Sequence, residues 1–374
     1  MKDHGADFVF STSRIDYSIV NGMETPNFDE LRMFLSLMQE SGYKSGPISV
    51  ETGFEELALA WYGKSKSELE ENAGLYSDLA RGIEEEKPFH GLAGEALEGL
   101  RRIEKEYPSY DFYLTHMDEV FNRGRLPLYI ALTKIVRELS DFQMHMSIHH
   151  GDGTEIMRRQ IDPHIDLRVH HGYSFEQWLT RNHTIDQYRE ELQESGDLSW
   201  QYHNRIGAFI TPKWQRLING IYMWIAPFDG RYDWTYQHYY GDPFNDLDGQ
   251  QGIRYDDYSW SYPSPEDGKT PTPTRSWEAW REGIDDLSYF YTLQELIRQC
   301  REHNRIDGVE SAEKWLQYVA GWFPEPSGLT SGERGTPEES PIINCMDQRL
   351  SAERLQQIRY TTAMYICRLV QTLN

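Results

Sequence analysis

Short apolar runs alternate with longer helical patterns along this chain, and the alternation constrains the fold more than any other feature. Strands that alternate with helices predict βαβ units and a parallel sheet. The apolar runs that predict strands are 7–11, 46–51, 111–118, 141–149, 165–171, 198–203 and 219–226. Helical patterns fall between most of them, for example at 27–39, 94–106 and 127–139.

The repeated strand and helix predict an α/β protein with a (β/α)8 TIM-like barrel. A doubly wound open sheet is the alternative, but no glycine-rich phosphate loop follows any predicted strand. Residues 2–5 read as the end of a helix, so the barrel is expected to lack its first strand in this chain. We expect the barrel to span 1–302, and a C-terminal helical extension packed on it to span 303–374. The extension is predicted to hold helices at 311–323 and 351–373, joined by a loop over 324–347.

The chain is strongly acidic, with 37 Lys and Arg against 60 Asp and Glu and a net charge of −23. This balance disfavours nucleic acid and anionic lipid as partners and suits a neutral or cationic ligand. We expect no transmembrane helix and no signal peptide, and the localisation and oligomeric state stay open. Three cysteines are too few for a disulfide framework or a zinc cluster, and we expect no cofactor.

Aromatic residues make up 13% of the chain, and many stand beside polar residues rather than in apolar runs. Tyr232-Asp233-Trp234 and Tyr258-Ser259-Trp260 are examples. A sugar ring packs its C–H face on an aromatic ring while its hydroxyl groups bond to polar side chains at the rim. The composition therefore favours a carbohydrate as the ligand, although core packing accounts for part of the aromatic content.

Asp118 and Glu119 stand at the end of the apparent fourth barrel strand, where active sites of such barrels lie. Because the chain turns there, both side chains can lean toward the barrel mouth. Mutual repulsion would raise the pKa of one carboxyl group and leave the other ionised. Glycosidic cleavage needs one proton donor and one anion, so this pair is the predicted catalytic centre.

Other polar and aromatic side chains follow the predicted strands and are candidates for binding the substrate. They are Arg14, His149, His171, Trp200, Tyr202, Trp224 and Asp229.

A histidine metal site, as in an amidohydrolase barrel, is the competing hypothesis. Its candidate ligands are His145, His149, His150, Asp152, His170 and His171. The pattern of 141–149 puts Gln143, His145, Ser147 and His149 on one face of a strand. No HxH or HExxH spacing is present, so we expect these histidines to bond to sugar hydroxyls or to one another, and no metal.

Several segments of the C-terminal third resemble the GH123-like glycoside hydrolase family, which has a DUF4091-type catalytic barrel. They are 220–224, 242–244, 262–263 and 275–286, followed by Tyr289 and Leu293. The likeness is good over 215–300 and collinear but weaker over 1–214. Asp285-Asp286 stands where the family favours Glu-Asp, and Leu287 where it favours Tyr.

The resemblance implies a (β/α)8 barrel, export of full-length relatives, and a retaining exo-β-N-acetylgalactosaminidase activity by substrate-assisted catalysis. In that reaction the 2-acetamido oxygen of the substrate attacks the anomeric carbon and forms an oxazolinium intermediate. The family carries an Asp that orients the acetamido group and a Glu that acts as general acid and then base. These positions match Asp118 and Glu119, and Tyr202 matches an aromatic residue near the acetamido group.

Two alternatives remain at this point. A barrel glycosidase for a sugar without an acetamido group would combine Asp118 or Glu119 with a distant carboxylate such as Glu51 or Asp229. A non-catalytic carbohydrate-binding barrel would bind an oligosaccharide or glycoconjugate without turnover.

Overall fold

The computed structural model describes residues 12–20, 23–72, 74–118, 120, 124–148, 160–181, 183–203, 211–233, 237–238, 242, 258–268, 270–330 and 340–373. A seven-stranded sheet dominates the first two-thirds of the described chain. Its strands are β1 (Thr12–Arg14), β4 (Gly46–Glu51), β5 (Tyr110–Thr115), β6 (Gln143–Ile148), β7 (Leu167–His171), β8 (Leu198–His203) and β9 (Gly230–Asp233).

Every pair of neighbours in this sheet is parallel, and the strands lie in the order β1-β4-β5-β6-β7-β8-β9. A doubly wound sheet reverses its strand order at a switch point, and this sheet does not. The sequential order is compatible with a TIM-like α/β fold.

The remaining strands form three short antiparallel pairs. They are β2 (Asp16–Val20) with β3 (Met23–Asn27), β10 (Gln237–His238) with β11 (Tyr258–Ser259), and β12 (Ser261–Pro263) with β13 (Pro271–Pro273).

Helices fill the crossovers between the parallel strands and form the C-terminal part of the chain. In chain order they are α1 (Asp29–Glu40), α2 (Phe54–Trp61), α3 (Lys66–Glu71), α4 (Gly74–Glu85), α5 (Lys87–Glu106), α6 (Leu126–Leu139), α7 (Gly172–Thr180), α8 (Ile185–Ser195), α9 (Pro212–Leu217), α10 (Met223–Ile225), α11 (Arg275–Glu302), α12 (Val309–Ala320), α13 (Pro341–Arg349) and α14 (Ala352–Leu373). A π-helix at Ile218–Tyr222 joins α9 to α10. None of the described helices is long and apolar enough to cross a lipid bilayer.

The parallel sheet is curled. Tyr232 on β9 hydrogen-bonds to Ser147 on β6, although two strands lie between them. Ser49 Oγ on β4 lies 2.7 Å from His145 Nε2 on β6, across β5. In a flat sheet, β6 and β9 would be separated by about 14 Å, and the side chains of Ser147 and Tyr232 could not bridge that distance. The inner face is therefore concave, and its side chains converge.

The two faces of the sheet differ in what covers them. The outer face packs against the crossover helices; Phe112 and Leu114, for example, belong to the same core cluster as Leu132 of α6. The inner face holds a smaller cluster made of Tyr113, Leu167, Val169, Trp200 and Tyr202, with Tyr232 packed against it.

Most of the predicted strands are confirmed, with two exceptions. Strands 46–51 and 198–203 match the prediction, and the runs at 111–118, 141–149 and 165–171 form shorter strands. The run at 7–11 lies outside the described residues, and β1 follows it. The predicted strand at 219–226 is wrong, because this segment is helical and the last parallel strand is β9. A short buried apolar run has no periodicity that separates a strand from a helix.

The helical extension is also partly corrected. Helices α12 and α14 lie within a few residues of their predicted positions. The predicted loop over 324–347 is wrong in its last part, where α13 begins at Pro341.

Candidate functional site

All strands of a parallel sheet end at the same edge, so the carboxyl ends of β1 and β4 to β9 place their last side chains together. Paired residues and alternate residues share a face. The register puts these side chains on the inner face at or near that edge: Arg14, Glu51, Thr115, Ser147, His171, Tyr202 and Tyr232.

Aromatic rings cover the half of this edge formed by β7, β8 and β9. The Tyr202 ring stacks on Tyr232, with centroids 5.5 Å apart and planes 14° apart. His171 meets Tyr202 edge-on at 4.8 Å and Tyr173 at 4.0 Å. We call His171, Tyr173, Tyr202 and Tyr232 the aromatic wall.

Trp200 lies one layer below the aromatic wall and is buried. It sits beside Gly230 on β9, where a Cβ atom would come within 2.9 Å of the indole ring. Glycine is therefore required at 230 for the ring to pack flat against the neighbouring strand.

Asp118 follows β5 and is exposed at the same edge. Burial raises the pKa of Tyr232; the hydrogen bond with Ser147 opposes this, and the negative charge of Asp118 adds to it. Asp118 and the aromatic wall thus share the carboxyl edge of the curled sheet. Glu119 and His149, the other predicted residues of this region, lie outside the described residues.

Charged side chains occupy the opposite half of the edge, after β1 and β4. Burial and the nearby Glu56 raise the pKa of Glu51, while Arg14 and Lys66 lower it. Arg14 Nη2 lies 3.0 Å from Glu56 Oε2, and Lys66 Nζ lies 2.6 Å from Glu56 Oε1. Arg14, predicted to bind substrate, is here a partner of Glu56.

Gly53 sets the direction in which α2 leaves the edge. Its φ of 68° is left-handed, and a Cβ atom there would lie 2.5 Å from the Ile15 carbonyl oxygen. Only glycine tolerates both conditions. The sharp turn places Glu55 and Glu56, in the first turn of α2, beside the ends of β1 and β4. The sequence analysis missed both glutamates, although a Thr-Gly pair directly after a strand signals such a turn.

Two predicted substrate-binding residues are not in this group. Trp224 lies in α10, its indole N–H donates to Gln294 Oε1 at 3.0 Å, and its ring packs 4.8 Å from Phe290. Asp229 precedes β9, at the opposite edge of the sheet, and its carboxylate accepts the Ser199 N–H. Both placements followed from the wrong strand at 219–226.

Two of the candidate metal ligands, His145 and His170, are engaged in hydrogen bonds with hydroxyl groups. Inner-face His145 bonds to Ser49, and His170 Nε2 on the outer face lies 2.5 Å from the Tyr188 hydroxyl. Burial lowers the pKa of His145 to about 3, so its ring is neutral. Within the described ranges no group of three His, Cys, Asp or Glu side chains is arranged to hold a metal ion.

The site therefore combines an aromatic wall, an exposed carboxylate and a charged cluster at one concave edge. Neither the models of known protein families nor the curated proteins match this sequence.

Proposed function

We propose that the chain is a glycoside hydrolase with a (β/α)8-type catalytic barrel. The observation that carries the proposal is that the exposed Asp118 follows β5 at the same carboxyl edge of the curled sheet on which the aromatic wall stands. Stacked rings with hydroxyl groups suit a pyranose, and an adjacent carboxylate suits the positive charge that develops at its anomeric carbon.

The specific activity proposed is that of an exo-acting, retaining β-N-acetylhexosaminidase, with β-N-acetylgalactosaminides as the preferred substrates. The resemblance at 215–300 supports this choice. The acetamido oxygen attacks the anomeric carbon while Glu119 protonates the leaving oxygen, and Asp118 stabilises the oxazolinium ion. Water then opens that ring, with Glu119 accepting its proton. An internal nucleophile has a high effective concentration, so the protein supplies only the acid and the charge stabiliser.

The test is hydrolysis of aryl β-N-acetylgalactosaminide and aryl β-N-acetylglucosaminide. Glu119→Gln should lower kcat by about 10²–10⁴-fold, because general acid catalysis contributes that much. Asp118→Asn should lower kcat as well, whereas Asp111→Asn, an exposed carboxylate at the other end of β5, serves as the matched control. Unchanged activity in Glu119→Gln would overturn the assignment.

A second candidate is a glycosidase for a sugar without an acetamido group, and Glu51 favours it. Burial raises the pKa of this carboxyl group, as a proton donor requires. Glu51 lies on the inner face at the end of β4, the strand next to β5, which Asp118 follows. This alternative predicts turnover of aryl hexosides that lack the acetamido group and its loss in Glu51→Gln. A thiazoline mimic of the oxazolinium ion should then fail to inhibit.

A further inference from the structure

We propose that Arg125 and Glu55 are positioning residues that fix the backbone carbonyl group of Asp118. The inference rests on the proposed function, because it concerns how Asp118 is held for catalysis. It goes beyond it by naming side chains that lie outside the proposed catalytic pair and outside the aromatic wall.

Arg125 makes the contact with the pair. It stands directly before α6, its side chain is only 13% exposed, and its Nη1 donates to the Asp118 carbonyl oxygen at 3.1 Å. A carbonyl oxygen is part of a planar peptide unit, so fixing it restricts the orientation of the backbone at Asp118. The direction in which the Asp118 side chain leaves the backbone is restricted with it.

Glu55 holds the guanidinium in turn. Its carboxylate is 1% exposed, and Oε1 lies 3.9 Å from Arg125 Nε. Tyr76 donates its hydroxyl hydrogen to Oε1 at 3.5 Å, and Lys66 Nζ lies 3.4 Å from Oε2. A carboxylate this buried requires compensation by cations and hydrogen bonds. Arg125 and Lys66 are the cations nearest to it, and Tyr76 supplies a hydrogen bond.

A series of contacts links Gly53, through the first turn of α2, to the loop after β5. The turn at Gly53 places Glu55, Glu55 orients Arg125, and Arg125 holds the Asp118 carbonyl. A displacement of reacting groups by about 1 Å can reduce a rate by about 100-fold, so an anchor of this kind matters even though it does not touch the substrate.

The experiment compares Arg125→Met, Arg125→Lys and Glu55→Gln with the wild-type chain. Arg102→Met serves as the control, since Arg102 is 68% exposed and pairs with Glu98 within α5. We expect Arg125→Met and Glu55→Gln to lower kcat on the aryl glycoside by about 10–100-fold with KM changed less than about threefold. Arg125→Lys keeps the positive charge but loses the planar guanidinium group with its several N–H donors, so its kcat should lie between those of Arg125→Met and the wild type.

Amide hydrogen exchange gives a readout that does not depend on turnover. Exchange in peptides covering 116–125 should accelerate in Arg125→Met, while exchange in α2 stays as in the wild type. If the wild type shows no turnover but this local acceleration appears, the proposed function fails and the anchoring stands. Unchanged exchange at 116–125, or unchanged kcat in an active enzyme, overturns the positioning role. Should Arg125→Met not fold, Glu55→Gln and Arg125→Lys carry the same two measurements.

Discussion

The two halves of the site edge treat ionisable groups in opposite ways. In the charged half, after β1 and β4, Glu56 pairs with Arg14 and Lys66, and part of each of these three side chains stays in solvent, although Glu55 beside them is buried. In the half formed by β7 to β9, the inner face is aromatic, and the Arg231–Asp233 ion pair lies behind the sheet with both side chains buried. The ion pairs at β1 and β4 are thus partly solvated, whereas the ion pair of β9 is enclosed.

The enclosed groups lie between β8, β9 and the helices. Arg231 and Asp233 form a 2.9 Å ion pair with side chains 3% and 0% exposed, and the guanidinium lies 4.8 Å over the Trp280 ring. Burial raises the pKa of Asp233 to about 7, although Arg231 opposes the shift. Burial likewise raises the pKa of Glu176 to about 8, although the amide hydrogens of Ile342 and Ile343 oppose it.

The difference between the two halves is tested most directly by removing one cation from each. Arg231→Met should lower the free energy of unfolding by about 3–5 kcal/mol, because it leaves Asp233 buried without its partner. Arg14→Met removes a side chain that is 36% exposed, so its effect should stay below about 1 kcal/mol. Urea unfolding of both variants measures the difference. Equal effects would mean that the two halves do not differ as described.

Glycine substitutions test how tightly each half is packed. Gly53→Ala and Gly230→Ala should each lower the free energy of unfolding by about 1–3 kcal/mol, the first from backbone strain and the second from overpacking against Trp200. Gly91→Ala in α5 meets no atom within 4 Å and should instead add about 0.5–1 kcal/mol. Thermal unfolding ranks the three variants. If Gly53→Ala also lowers kcat while Gly230→Ala does not, the link from α2 to Asp118 is strengthened.

The last test concerns the pH dependence of stability. The carboxyl group of Glu176 has a pKa above its ordinary value in the folded state, so between about 4.5 and 8 the folded chain binds more protons than the unfolded chain. Stability therefore falls as the pH rises through this window, by up to about 1.4 kcal/mol per pH unit for one proton. Glu176→Gln should flatten that slope, measured by urea unfolding from pH 5 to pH 8. An identical slope in the variant would contradict the assignment, and Glu30→Gln on the exposed face of α1 controls for the lost charge.

Local patterns were sufficient to predict much of the sheet. The runs at 46–51 and 198–203 combine β-propensity with turn residues at their ends, and both form strands with those bounds. The same signal failed at 219–226, because a buried helix made of Ile, Tyr, Met and Trp has the same composition as a buried strand. That error moved Trp224 and Asp229 to the wrong part of the molecule.

Only those site residues that stand at or directly after the end of a predicted strand could be predicted from the sequence. Asp118, His171 and Tyr202 follow from reading the ends of strands, and all three lie at the predicted edge. Glu55 and Arg125 could not be found in this way, because their proposed role depends on a contact between two residues that are far apart in the chain. Contacts between distant helices leave no trace in local periodicity.

The sequential strand order has a consequence for how the chain is made. Each strand of the parallel sheet pairs with the one that left the ribosome before it, so the sheet can grow in the order of synthesis. The longest crossover between neighbouring strands runs from Glu51 to Tyr110 and contains α2 to α5. During its translation β4 has no partner on one side, and the nascent sheet presents an open edge for longer than at any later step. Slow codons or chaperone contacts would therefore have their greatest influence on yield while this crossover is being translated.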